Sequence, residues 1–237
     1  MTTVDFRTPV LDGYGIRPGY QARAVPEYFV DEVDPDIVFQ PDVYLAAASV
    51  ARALGARTII DVGCGAAQKL VTLHPEFAII GIDYGANLDG CRARYPWGDW
   101  RHHDLEEEVP LPLSDGELEG AVLVSSDVIE HLVRPELLVR KLRLALGAAR
   151  GLLISTPERE RTFGPGQMGP PPNRAHVREW TQSELAAFLE SEGLEHGDML
   201  LTRSHDRDET LATSLAILVP GPQEAELLRG AGLRSES

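Results

Sequence analysis

Thr58-Ile59-Ile60-Asp61-Val62-Gly63-Cys64-Gly65-Ala66-Ala67 is the stretch whose reading decides the fold. Its first half is a short apolar run with β-branched residues, the composition of a strand buried on both faces. Its second half sets two glycines one residue apart at the end of that strand, and residues 66–73 can continue as a helix. Glycine suits a backbone that must turn sharply and let a ligand come close. A helix opening at that point would add free N–H groups and a partial positive charge, so that the polar end of a nucleotide-like ligand is held there. The next apolar run, Ala78-Ile79-Ile80-Gly81-Ile82-Asp83, ends in an acid. A carboxylate about twenty residues past the loop can accept hydrogen bonds from both hydroxyls of a ribose.

Outward from this pair the chain alternates between strand and helix patterns. Upstream, Val43, Leu45, Ala46, Val50 and Leu54 predict a helix that begins near Asp42 and stops at Gly55. Downstream, the patterns predict a short helix over 87–94, strands over 100–104 and 120–125, and a strand over 151–156 that Pro157 closes. Between the last two lies a helix over 135–146, with Pro135 in its first turn and Gly147 at its stop. Strands that are apolar throughout, alternating with helices, predict an α/β protein whose parallel sheet is covered on both faces. The Gly- and Pro-dense residues 164–172 form a loop. Thr181-Gln182-Ser183-Glu184 is a capping box for a helix through about Glu192. Two last strands, near 197–202 and 213–219, are joined by a connection too short for a crossover helix, so they pair antiparallel.

Length and charge narrow the function. The 237 residues suit one large domain, taken as residues 42–220, with an irregular segment or lid over 1–41 and a tail over 221–237. A formal net charge of −15 repels phosphate backbones, so nucleic acid and anionic membranes are not expected partners. No apolar run is long enough to span a bilayer, and residues 1–20 lack the pattern of a secretory signal. Two cysteines, Cys64 and Cys91, do not make a disulfide framework, and a cytoplasmic location is expected.

The dinucleotide fingerprint would need a third glycine where Gln68 stands, and a long polar side chain there obstructs helix–strand packing, which disfavours NAD or FAD. The run from Thr58 to Pro157 instead resembles the class I SAM-dependent methyltransferases, whose loop reads acidic-x-G-x-G-x-G; Ala67 takes the place of the last glycine. Residues 111–116 and Asp127-Val128-Ile129-Glu130-His131-Leu132 resemble a run common among small-molecule O-, N- and C-methyltransferases. The resemblance implies a Rossmann-like, doubly wound, mostly parallel seven-stranded sheet with an antiparallel C-terminal strand pair. It implies that Gly63, Cys64 and Gly65 pack against the amino-acid part of S-adenosyl-L-methionine (SAM), with Asp61 supporting the loop and the ammonium. It implies that Asp83 holds the ribose, that Tyr84, Asp104 and Leu105 surround the adenine, and that Ser126 lines the methionine end. The implied partner is a small-molecule acceptor, a sugar or natural product among the options, and the resemblance leaves room for a homodimer. A protein-directed methyltransferase, a non-catalytic SAM-binding module and a nucleotide-dependent oxidoreductase are the rival readings.

His131 lies just past a strand end, and His176 follows the Gly/Pro loop; either can serve as the base if the acceptor is a hydroxyl. Each can equally anchor its own loop. Adjacent His102 and His103 point to opposite faces of a strand and cannot share an ion, so no metal is expected. Cys64 reads as a small packing residue and Glu106-Glu107-Glu108 as a solvated turn. Tyr14, Tyr20, Tyr28 and Phe29, with Arg17 and Arg23, form a stretch that either closes over the substrate, opposite the 164–172 loop, or wraps a helix.

Overall fold

Apolar β1 (Thr58–Val62) lies at the centre of the sheet, flanked in parallel by β2 (Ala78–Asp83) and β4 (Ala121–Ser126). The computed structural model describes residues 14–27, 30–31, 36–195, 197–207 and 209–233. With β3 (Asp99–His102), β5 (Gly151–Pro157), β6 (Asp198–Arg203) and β7 (Leu211–Leu218), the sheet has seven strands in the order β3-β2-β1-β4-β5-β7-β6. β7 pairs antiparallel with both β5 and β6, the second as the short connection between those two strands requires.

Helices cover both faces. On one side α1 (Pro41–Leu54), α2 (Gly85–Arg94) and α7 (Pro222–Gly230) pack with Val43, Leu88 and Leu228 against Ile59, Val122 and Leu153. On the other, α3 (Asp115–Leu118), α4 (Pro135–Leu146) and α6 (Gln182–Ser191) pack with Leu118, Leu138 and Leu185 against Ile60, Leu123 and Leu152. The strand order reverses direction between β1 and β4, so the chain leaves these two strands toward opposite sides. The crevice at their carboxyl ends is where sheets of this kind take ligands.

The structure departs from the sequence reading after the glycine loop. Residues 66–73 form no α-helix; they make turns and a single 3-10 stretch, Leu70–Leu73. Ala67 has φ +57°, and a left-handed residue breaks a right-handed helix in its first turn. A short helix, α5 (Arg159–Phe163), precedes the Gly/Pro loop and has no clear sequence signal. Glu106 is not merely solvated: its carboxylate accepts from the Val133 and Arg134 amides and so fastens the turn before α4.

Residues 14–27 have no regular secondary structure but are built into the fold. Tyr14 and Tyr20 are buried; the Tyr14 hydroxyl donates to Glu136 and the Tyr14 carbonyl accepts from the Trp180 indole. The Gln21 and Arg23 amides donate to Met168 and Val177 carbonyls, which joins this segment to the Gly/Pro loop and its sequel. The expected contributions of Tyr28 and Phe29 lie outside the described residues.

Candidate functional site

Asp61 ends up fully buried near the carboxyl end of the central strand. Tyr44 of α1 donates its hydroxyl to Oδ2 at 2.6 Å, and Oδ1 has no hydrogen-bond partner among the described residues. Burial pushes this carboxyl up to about 7, against the Tyr44 bond and the field of Lys69. The chain then turns at Gly63 (φ +84°), where a Cβ would collide with Val128. The Gly63 and Cys64 amides donate to the Ile82 carbonyl, so β2 holds the turn. Cys64 is buried inside the loop, as a packing residue would be.

The loop amides find carboxylates rather than a helix. Gly65 N–H donates to Asp83 Oδ2 at 2.8 Å, and Ala66 N–H donates to Asp31 Oδ2 at 2.9 Å. Asp31 is in turn placed by its own amide on the Asn87 side chain of α2. Asp83 also accepts from the Tyr84 amide at 2.7 Å, and burial pushes its carboxyl up despite these donors. The structure thus brings Asp61, Gly63, Cys64, Gly65 and Asp83 together. Tyr84 caps α2 and is partly exposed beside them. Asp104 and Leu105 follow β3, the strand beside β2. Asp104 caps its own turn through the Glu106 amide, and the Leu105 carbonyl accepts from Lys141.

Ser126 ends β4 and is buried. Its hydroxyl and that of Ser155 on β5 both donate to Gln40 Oε1, at 3.2 and 2.6 Å. The Gln40 amide nitrogen donates to Asp127. Gln40 and Asp127 both have left-handed backbones, which bend the two chain segments toward each other. Asp31, Gln40 and Tyr44 were missed by sequence reasoning, because their roles rest on tertiary placement.

Past β4 stand the other acids and the two histidines. Glu130 is fully buried, and Oε2 accepts the Thr156 hydroxyl at 2.9 Å. Burial, reinforced by the neighbouring Asp127 carboxylate, pushes the Glu130 carboxyl far above its ordinary range. His131 and His176 come together with ring centroids 4.7 Å apart and planes perpendicular. His131 Nδ1 is 3.1 Å from the Ala175 carbonyl, and His176 Nδ1 is 2.5 Å from buried Glu179 Oε1. Both partners accept, so each imidazole donates from Nδ1. Burial, together with His176, pushes His131 down to about 3, so it stays neutral across the physiological range. The expected strand over 100–104 is Asp99–His102: His102 ends it and is exposed, and His103 follows it and is buried.

A cleft of about 760 Å³ lies at the other edge of the sheet, lined by Thr58, Gly120 and Arg150 among others. It faces the amino ends of the parallel strands and touches none of these residues. The glycine turn, the acids at the ends of β1 and β2, the strand order and the antiparallel closing pair decide the class. The fold is that of the class I SAM-dependent methyltransferases. Solved structures of that fold superpose on this chain. The methyltransferase domain of bacterial CtHen1 does so with a TM-score of 0.56 at 20% identity, covering 76% of this chain and 98% of that domain. An O-methyltransferase from neocarzinostatin biosynthesis, in complex with SAM and 2-hydroxy-5-methyl naphthoic acid, gives 0.53 at 14% identity, covering 75% and 54%. Two Mycobacterium tuberculosis proteins, from different strains and each named "Probable S-adenosylmethionine-dependent methyltransferase", are 33% identical to the chain over 138 residues. That match takes in 56% of this chain and 47% of theirs, so the chain spans about half the length of the curated relatives it matches. No family model matches the chain. No helix among the described residues is long and apolar enough to cross a membrane.

Proposed function

We propose that the protein is a SAM-dependent methyltransferase acting on a hydroxyl or amine of a small molecule. The observation that carries this reading is the buried, unpartnered Asp61 Oδ1 beside the glycine turn. A buried acceptor without a donor is costly, and a cationic ammonium supplied by a ligand would satisfy it. Asp83 stands where a ribose diol would be held, Tyr84, Asp104 and Leu105 where adenine would lie, and Ser126 at the methionine end. Bound SAM would supply a methyl group on a cationic sulfur that departs as a neutral thioether. The chain's own work is then to align the acceptor and exclude water. The Glu130, His131 and His176 cluster, one strand over from the glycine turn, is assigned to the acceptor's side of the site. The names of the curated relatives support the methyltransferase reading, and the small-molecule enzyme among the structural neighbours is in keeping with a small acceptor.

The test is calorimetric titration with SAM and S-adenosylhomocysteine, followed by incubation of acceptor collections and detection of a gain of one methyl by mass spectrometry. Absence of SAM binding to folded protein sinks the proposal. Binding with no transfer to any acceptor, proteins included, would leave a SAM-binding module.

The Asp61 reading carries a pH signature. Tyr44, Lys69, Asp83 and Asp31 are the titratable groups that act on Asp61. Its carboxyl titrates at about 7 in the free protein. An ammonium in contact favours the ionised form, so binding lowers that value and releases a proton. Affinity for SAM should therefore rise with pH by up to about tenfold per unit through the acidic range. It should level off above about 7 and turn down as the ligand's own amine deprotonates near 8. Asp61→Asn should flatten the acidic limb. Parallel wild-type and Asp61→Asn profiles would remove Asp61 from the site.

A further inference from the structure

We propose that Glu130, His131 and His176 form a site for one divalent transition-metal cation. Three observations carry it. A carboxylate oxygen and two imidazole nitrogens from these residues all lie within 4.8 Å of one another. They come from two separate segments, the end of β4 and the sequel to the Gly/Pro loop, joined where the Glu130 carbonyl accepts the Val177 amide at 2.7 Å. The fold therefore sets their distance.

The second observation is the outer layer. Both Nδ1 atoms are tied back, one to the Ala175 carbonyl and one to the Glu179 carboxylate. This is the arrangement that orients metal-binding imidazoles and fixes the tautomer with Nε2 as donor. Glu179 is itself held, its amide donating to the Tyr20 hydroxyl and its carbonyl accepting from Arg159. His176 Nε2 at present accepts from the Asn173 amide at 2.9 Å, a neutral contact that a cation would replace.

The third is independent of the histidines. Glu130 Oε1 is buried and meets no N–H or hydroxyl donor among the described residues, only the Asp127 carboxyl, whereas Oε2 is satisfied by Thr156. Asp127 adds a second acid against it. Buried carboxylates are retained where a cation offsets them.

Two imidazoles and one carboxylate suit zinc, cobalt, iron or manganese better than magnesium or calcium, which take oxygen-rich sets. Three protein ligands leave coordination positions open, the mark of a site that takes a water or a substrate oxygen. The cluster follows β4, the strand whose end carries Ser126. A hydroxyl acceptor bound to such a cation would be more acidic and would release its proton to solvent water. Its oxygen would then form the bond to the methyl carbon as the carbon–sulfur bond breaks, with the electron pair going to sulfur. This last role rests on the methyltransferase reading; the metal site does not. The two imidazoles would act as ligands rather than as bases.

The experiment uses the whole chain, stripped with a chelator and titrated with Co²⁺, without SAM, by calorimetry and visible absorption. Mn²⁺ binding by electron paramagnetic resonance and Mg²⁺ titration serve as comparisons. The expected result is one saturable equivalent of Co²⁺ with ligand-field bands, and much weaker binding of Mg²⁺. Glu130→Gln and His176→Gln should each weaken Co²⁺ binding by about a hundredfold or more, and Glu179→Gln by about ten- to a hundredfold. Glu179→Gln touches no ion, so it remains informative if Glu130→Gln fails to fold by circular dichroism. Absence of saturable Co²⁺ binding to folded wild type overturns the proposal, and so does binding that all three variants leave unchanged. Titrating the same samples with SAM separates the two readings: loss of SAM binding with Co²⁺ binding intact counts against the methyltransferase assignment alone.

Discussion

Replacing Asp83 by alanine should weaken SAM binding by about a hundredfold or more while leaving the sheet folded. The carboxylate stands at the end of β2, one strand from the glycine turn, with Oδ2 on the Gly65 amide and Oδ1 on the Tyr84 amide. In the proposed complex it also accepts from the ribose hydroxyls. A hydrogen bond to a charged group contributes about 1.5–3 kcal/mol, and two such bonds to the ligand exceed the roughly 2.7 kcal/mol that a hundredfold requires. The alanine variant also frees the Gly65 amide, which loosens the loop that meets the amino-acid end of the ligand. Asp83→Asn separates these effects. It keeps an acceptor for one amide but loses the charge and one of the two acceptors, so it should fall between wild type and alanine. Calorimetry with SAM and S-adenosylhomocysteine reads both. Affinity within about threefold of wild type for Asp83→Ala would show that the ribose lies elsewhere, and with it the assignment of the β2 terminus.

What could be read from sequence divides along physical lines. Thr58–Val62, Ala78–Asp83 and Gly151–Pro157 were legible as strands because near-complete burial makes most of their positions apolar. The antiparallel pairing of β6 and β7 followed from connection length alone. Helix α4 was found to the residue, because Pro135 and Gly147 punctuate a strong apolar stripe. The helix expected after the glycine loop failed because composition does not report φ. Ala67 looks like a helix former, yet it takes the left-handed conformation of the glycine it replaces. In the site, the residues on strand ends were legible because a motif ties them to a strand. Gln40, Tyr44 and Asp31 were not, since each reaches its partner across 17 to 115 residues of sequence. The approach of His131 to His176 is of the same kind, with 44 residues between His131 and its carbonyl partner Ala175. The aromatic N-terminal stretch was legible as either a cover for the substrate or a wrap over a helix, and the described part of it packs against helices. Tyr14 and Tyr20 are core residues under α4 and α6, where Arg178 and Arg159 lie over their rings.

Arg159→Met should cost about 3–5 kcal/mol of stability, the largest loss expected from any single change in this supporting layer. Arg159 is completely buried on α5. Its guanidinium grips both carboxylate oxygens of Glu184, at 2.7 and 2.9 Å, and the Glu179 carbonyl at 2.8 Å. Methionine fills a similar space but leaves Glu184 buried with only Arg17 and the Thr181 amide to hold its charge. For a chain of this length the loss corresponds to a fall in Tm on the order of 10 °C near neutral pH. The pH dependence supplies a second, sharper reading. Burial pushes the Glu184 carboxyl up, but the bonds from Arg159, Thr181 and Arg17 outweigh it and hold it at about 2. A depressed carboxyl contributes stability that is fully present above its ordinary value near 4.5 and is lost as pH falls toward 2. The variant lacks most of that contribution to begin with, so the gap in Tm between wild type and Arg159→Met should narrow steadily below pH 4.5. The same arginine holds Glu179, which holds His176. At neutral pH, therefore, Arg159→Met should also weaken Co²⁺ binding at the proposed metal site, while SAM affinity at the glycine loop stays near wild type. A Tm within about 2 °C of wild type, or a gap that does not depend on pH, would mean that the Arg159–Glu184 pair does not hold this layer together.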